Sequence, residues 1–147
     1  MYSLLLHLHS LLRFFILIAL LIVIVKAVMG MTNKTPFGKW DNKFSLYLLI
    51  FTHLQLIIGV ILYFISPQVR FDGSTMSDKV ARYWAVEHVV GMLIAVILIT
   101  VARITSKRFA NDHEKHKRLF IFNLIALAIV VIIIGLGDRG LFSMTVN

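Results

Sequence analysis

Residues 3–29 read SLLLHLHSLLRFFILIALLIVIVKAVM, an apolar run in which Arg13 and Lys26 are the only formal charges. A helix needs about 20 predominantly apolar residues to cross the hydrocarbon core of a bilayer, and three further runs, about 44–66, 80–104 and 119–137, meet the same measure. Backbone groups in hydrocarbon must be bonded within their own segment, so such runs are helices rather than strands. The expected fold is all-α, an integral membrane four-helix up-down bundle that makes one transmembrane domain of residues 1–147. The first run has no basic segment before it, carries Arg13 in its middle and is not followed by a small-residue cleavage pattern. It therefore reads as a retained helix rather than a signal peptide.

Composition agrees. The chain is 59% hydrophobic with a mean hydropathy of +0.89, well above the roughly 45–50% apolar content of soluble domains. The absence of cysteine removes disulfides, thiolate metal sites and cysteine nucleophiles. A net charge of +8 in a soluble protein would suggest nucleic acid, but its placement says otherwise. Lys26, Lys34, Lys39 and Lys43 surround the first connection, and Arg103, Lys107, Arg108, Lys115, Lys117 and Arg118 surround the third. The second connection and the chain end hold Arg70, Lys79, Arg82 and Arg139. The positive-inside rule then puts the first and third connections in the cytoplasm and both termini on the outer, periplasmic side. The basic clusters read as topology determinants and contacts for anionic lipid, with no nucleic-acid partner.

The connections carry ordinary punctuation. In GMTNKTPFGKWDNK (30–43), Pro36 and Gly38 mark a loop and Trp40 has the character of a headgroup-level residue. In SPQVRFDGSTMSDK (66–79), Pro67 ends the second helix and Ser77 is the candidate N-cap of the third. Arg82, Tyr83 and Trp84 would follow near the outer interface. SKRFANDHEKHKR (106–118) reads as solvated charge, with His113 and His116 as exposed loop histidines.

The informative residues are the polar ones inside the apolar runs, because such residues are costly and mark functional sites. They are His7, His9 and Arg13 on the first helix, His53 and Gln55 on the second, Glu87 and His88 on the third, and Asn123 on the fourth. At about 100° per residue, His9 and Arg13 share a face while His7 points away. His88 shares its face with Gly91, Met92 and Ala95, and Glu87 is turned aside. Gly91 and Ala95 form a small-xxx-small pair that admits a helix or a flat ligand close to the backbone. Thr52, Gln55, Gly59 and Tyr63 make one stripe of the second helix, with His53 at its edge.

Depth narrows the choice. Counting about 1.5 Å per residue from the outer ends, His9 lies roughly 8 Å deep, His88 roughly 9 Å and His53 roughly 18–20 Å. His9 and His88 match and belong to helices that are diagonal across the bundle, the arrangement that holds a porphyrin between two imidazoles. The count is good to about one turn, so a His53–His88 pair is the other arrangement it allows. Arg13 is the cation available to a propionate, and Glu87 is an orienting acceptor or an outer-facing carboxylate. Neighbours on a helix do not face each other, so a direct Glu87–His88 bond is not expected. Met92 reads as core packing and Asn123 as an interhelical hydrogen-bonding group.

The segments HSLLRF (9–14), THLQLIIGVILYF (52–64) and EHVVGMLIAVILITVAR (87–103) resemble a group of small four-helix bacterial membrane proteins labelled cytochrome B-like. They are more distantly similar to the histidine-bearing units of b-type cytochromes and haem A synthase. The resemblance implies a haem-associated protein of the bacterial cytoplasmic membrane, with His9, His53 and His88 at the histidine-bearing positions. A fourth helix without a histidine implies one haem rather than two. The expected function is thus haem b binding and electron transfer as a subunit or accessory of a larger membrane complex, rather than a free-standing enzyme. Two other readings stand beside it. One is a haem-free structural or assembly subunit using Arg13, His53 and Glu87 as a polar relay or docking site. The other is a quinone- or proton-handling site at His53 and Gln55.

Overall fold

The computed structural model describes residues 1–67 and 69–137; Arg139 and the side on which the chain ends lie outside them. Among the described residues four helices are long and apolar enough to cross a membrane. They are α1 (Tyr2–Asn33), α2 (Lys39–Ile65), α3 (Lys79–Arg108) and α4 (Asp112–Leu136). Helix α3 is interrupted by a π-helical turn, Tyr83–Glu87. Around the bundle α1 packs on α2 and α4, and α3 packs on α4 and α2, which leaves α1 and α3 diagonal.

All four helices run past the apolar runs into the basic segments. Hydropathy does not end a helix; backbone capping does. Asn111 accepts the His113 and Glu114 N–H groups and starts α4 at Asp112, so most of the segment read as a charged loop is helix. Asp41 reaches back to the Gly38 N–H at 2.8 Å and starts α2 at Lys39, which places Trp40 in a first helical turn rather than a loop. Asp78, not Ser77, caps α3 by accepting from Val80 and Ala81. Ser77 bonds Ser74 O instead. Lys34 closes α1 in the left-handed region, φ 53°, with its N–H on Gly30 O, a cap that glycine usually supplies.

The core lies between α1, α3 and α4. Leu20, Val23 and Ala27 meet Ala95, Ile99 and Ala102 of α3 and Leu119, Ala126 and Val130 of α4, whereas α2 contributes Leu48. Small residues at these contacts let the backbones approach closely, the packing used where no hydrophobic force drives helices together. Ile18, Ile57, Phe64, Ile97 and Ile132 point outward and are more than half exposed. These outward faces fit a multi-pass membrane protein.

The segment after α2 is a compact hydrogen-bonded loop. Asp72 Oδ1 accepts from Ser74 Oγ at 2.6 Å and Ser74 N at 2.9 Å. Thr75 donates to Arg70 O at 2.8 Å, and Arg70 pairs with Asp72 and Asp78. The Ser74 hydroxyl, then the Ser74 N–H, hold the Asp72 carboxyl below the ordinary aspartate value of 3.8. A depressed carboxylate contributes stability that is complete above the ordinary value and lost as pH falls through the lowered one. The protection of the Ser74 amide, its exchange relative to the intrinsic rate at each pH, should therefore be unchanged from neutrality down to about pH 5 and be lost only below the usual aspartate range. Loss of protection near pH 6 would assign the loop's pH response to another group.

Candidate functional site

The π turn delivers His88 to the bundle interior, where it meets His9 of α1. Their ring centres are 6.3 Å apart with planes at 65°, so two residues from diagonal helices at matching depth are brought together. Aromatic rings close in on the pair. Trp84 lies 5.2 Å and Tyr83 5.9 Å from the His88 ring, and on α2 a Cβ at Gly59 would stand 3.3 Å from His9 Cε1. Gly59 thus lets α2 approach the imidazole. A cavity of about 70 Å³ opens beside the pair, lined by Tyr2, His9, Gly59, Tyr63, Trp84 and His88 among others.

Hydrogen bonds between helices fix the level of these groups. Gln55 Nε2 donates to His9 O at 2.8 Å, tying α2 to α1 beside the imidazole. Tyr63 donates to Ala85 O at 2.8 Å, and Tyr83 donates to Ile133 O at 2.7 Å. Gln55 therefore positions the backbone that carries His9.

His53 is elsewhere. Its Nε2 lies 3.0 Å from Thr100 Oγ1, and that hydroxyl donates to Val96 O at 2.7 Å. With the hydroxyl proton committed to Val96, Nε2 must carry its own proton and donate to Thr100. The His53 side chain sits on the exposed edge of the α2–α3 contact, apart from the His9–His88 pair. His7 points outward and bonds Ser3 O, as its rotation from His9 requires. Arg13 is half-buried with its guanidinium 5.0 Å from the Phe14 ring centre.

Gly91 does clear space, and Ile133 takes it: a Cβ at position 91 would overlap the Ile133 side chain. With Ala95, 2% exposed, it forms the face of α3 against which α4 packs. Met92 packs against the core. Glu87 is paired with Arg82, Nε to Oε1 2.6 Å, and not bonded to His88. The Oδ1 of Asn123 is buried without a partner among the described residues, so that atom does not make the expected bond between helices.

Two buried polar groups at the basic end were not read from the sequence. Arg103, 7% exposed, donates through Nη1 to Asn42 O at 3.0 Å, Asn42 Oδ1 at 3.2 Å and Ser45 Oγ at 2.6 Å. It joins α3 to α2 instead of serving as free surface charge. His116, 1% exposed, donates from Nε2 to Thr35 O at 3.1 Å, and a side chain at Gly30 would overlap its ring. Both histidines are helical rather than in a loop; His113 is exposed as expected, whereas His116 is not, because α4 begins early enough to carry its ring inward. The fourth helix therefore does bear a buried histidine. Spacing was the available signal, since 116 extends the buried 119, 123, 126, 130 stripe of α4 by one step.

The fold defines a class: an all-helical bundle whose four long apolar helices fit a multi-pass membrane protein, with an aromatic-walled histidine pair across its diagonal. No protein family, curated protein or solved structure matches the chain.

If Gly91 exists to admit Ile133, the two positions are coupled. Gly91→Ala should cost about 1–3 kcal/mol in detergent unfolding, the range for overpacking a filled site. In an Ile133→Ala background most of that cost should vanish. An equal cost in both backgrounds would show that something other than Ile133 requires the glycine.

Proposed function

We propose that the protein is a multi-pass protein of the bacterial cytoplasmic membrane that holds one haem b between His9 and His88 and passes electrons within a larger membrane complex. The observation that carries this is the 6.3 Å separation of the two rings. A metal held by two imidazole nitrogens at about 2.0–2.1 Å, with each ring centre about 1.1 Å farther out, sets the centres roughly 6.2–6.4 Å apart. Two imidazoles are also the donor set that a porphyrin leaves to a protein. The donors fit. The cavity of about 70 Å³ is smaller than the roughly 300–1,000 Å³ of ordinary cofactor pockets. Occupancy therefore requires the wall built by Tyr63, Trp84 and Val69 to move outward.

In this reading the chain's own groups do four things. His9 and His88 hold the iron, and the interhelical bonds of Gln55, Tyr63 and Tyr83 set their level. Trp84 and Tyr63 separate the pair from the outer aqueous face, and Arg13, one turn along α1, would be the cation that meets a propionate. The haem, when bound, supplies one-electron chemistry. The charge asymmetry supports an orientation with both termini and the 66–78 loop on the periplasmic side and with Lys34, Lys115 and their neighbours against the anionic inner leaflet.

The second reading, a haem-free structural or assembly subunit, is favoured by the small cavity volume. A reduced-minus-oxidised visible spectrum of the protein in detergent, titrated with haemin, separates the two. The expected result is a sharp low-spin band at one haem per chain. His9→Ala and His88→Ala should each abolish it, whereas His53→Ala, whose Nε2 is engaged by Thr100, should keep it. Absence of the band in the native protein sinks the cytochrome reading and leaves the structural one.

A further inference from the structure

We propose that the Arg82–Glu87 ion pair is a positioning device that holds the π turn and thereby keeps His88 in the register facing His9. The pair spans five residues, with Arg82 Nε 2.6 Å from Glu87 Oε1. In an α-helix at about 100° per residue, positions five apart sit roughly 140° around the axis from each other, so such a pair cannot close. The widened turn brings them onto one side. Two more five-residue relations confirm the geometry locally: the His88 N–H bonds Tyr83 O, and the Tyr83 and His88 rings lie 5.9 Å apart. The ion pair therefore stabilises the π form and contributes nothing to the α form.

The need for the turn comes from two anchors that are out of step. At its start and within it, Tyr83 and Ala85 are buried; Tyr83 is bonded to Ile133 O, and the Ala85 carbonyl accepts from Tyr63. After it, Gly91, Ala95 and Ile99 are packed inside the bundle. In a continuous α-helix Tyr83 would sit roughly 80–160° around the axis from Gly91, Ala95 and Ile99, so its bond to Ile133 and the packing of those residues could not both be kept. Relaxing the π turn would rotate one side by about 100° relative to the other. The outcome is either loss of the tyrosine bonds or an imidazole turned from His9. Arg82 and Glu87 touch the protein rather than any ligand, so both are positioning residues.

The importance of this register rests on His88 being the functional imidazole, but the test needs no haem. In a Trp40→Phe background Trp84 is the remaining tryptophan, and it reports on His88 from 5.2 Å. In the full-length chain in detergent, Glu87→Gln and Arg82→Gln should each shift Trp84 emission and speed amide exchange over residues 83–88 by about tenfold. The charge-swapped Arg82→Glu/Glu87→Arg protein should return both to native values. Native behaviour in both single variants, or a swap that fails to restore, overturns the proposal. Should a single variant lose its helical circular dichroism, the swapped protein decides alone, native emission and exchange supporting the device and their loss overturning it. A protein with no haem band that passes this test sinks the haem reading and leaves the positioning pair standing. A band together with native behaviour in both single variants does the reverse.

Discussion

Polar side chains that bond from one helix to the next set the register of the whole molecule. Apolar faces slide past one another at little cost in an apolar medium, so packing alone fixes helix levels poorly. Gln55 to His9 O, Tyr63 to Ala85 O, Tyr83 to Ile133 O and His53 to Thr100 are bonds that cannot slide. Arg103 does the same work at the basic end, where three neutral oxygens on α2 solvate a guanidinium. Bonds of this kind contribute only about 0.6 kcal/mol each on average. Their directional demand, more than their energy, is what puts two imidazoles from diagonal helices at one depth.

The division of labour among the helices follows. Helices α1, α3 and α4 share the core, with small residues at their contacts, and α2, the least buried of the four, adds Leu48 with Phe44 and Phe51 packed against the cluster. The wall of the histidine site that α2 supplies is therefore its least deeply packed side. That matches a cavity whose occupancy requires a wall to move, since the elements that move belong to the weakly packed part of a structure.

The sequence made some of this legible and hid the rest for identifiable reasons. Four helices follow from run length, and the approach of His9 to His88 follows from angular period and depth, both of which survive any detail of packing. Helix ends did not follow from hydropathy, because Asn111, Asp78 and Asp41 decide them through single hydrogen bonds. Arg103 and His116 were read as charge and loop because residue type outweighed position. Spacing placed both on buried faces, continuing Ile99 and Ala102 in one case and preceding Leu119 in the other. The π turn left no trace in a count at 100° per residue, since that count presumes the regular helix the turn interrupts.

The π turn also means that α3 holds one residue more than a regular helix needs to reach from Asp78 to His88. It is a stored insertion. Deleting one residue between 83 and 87 would leave an unbroken α-helix with both flanking faces in phase, whereas a deletion anywhere else in α3 would throw its buried face out of line. Along the lineage of this chain, that five-residue window is where a single-residue length change is cheapest.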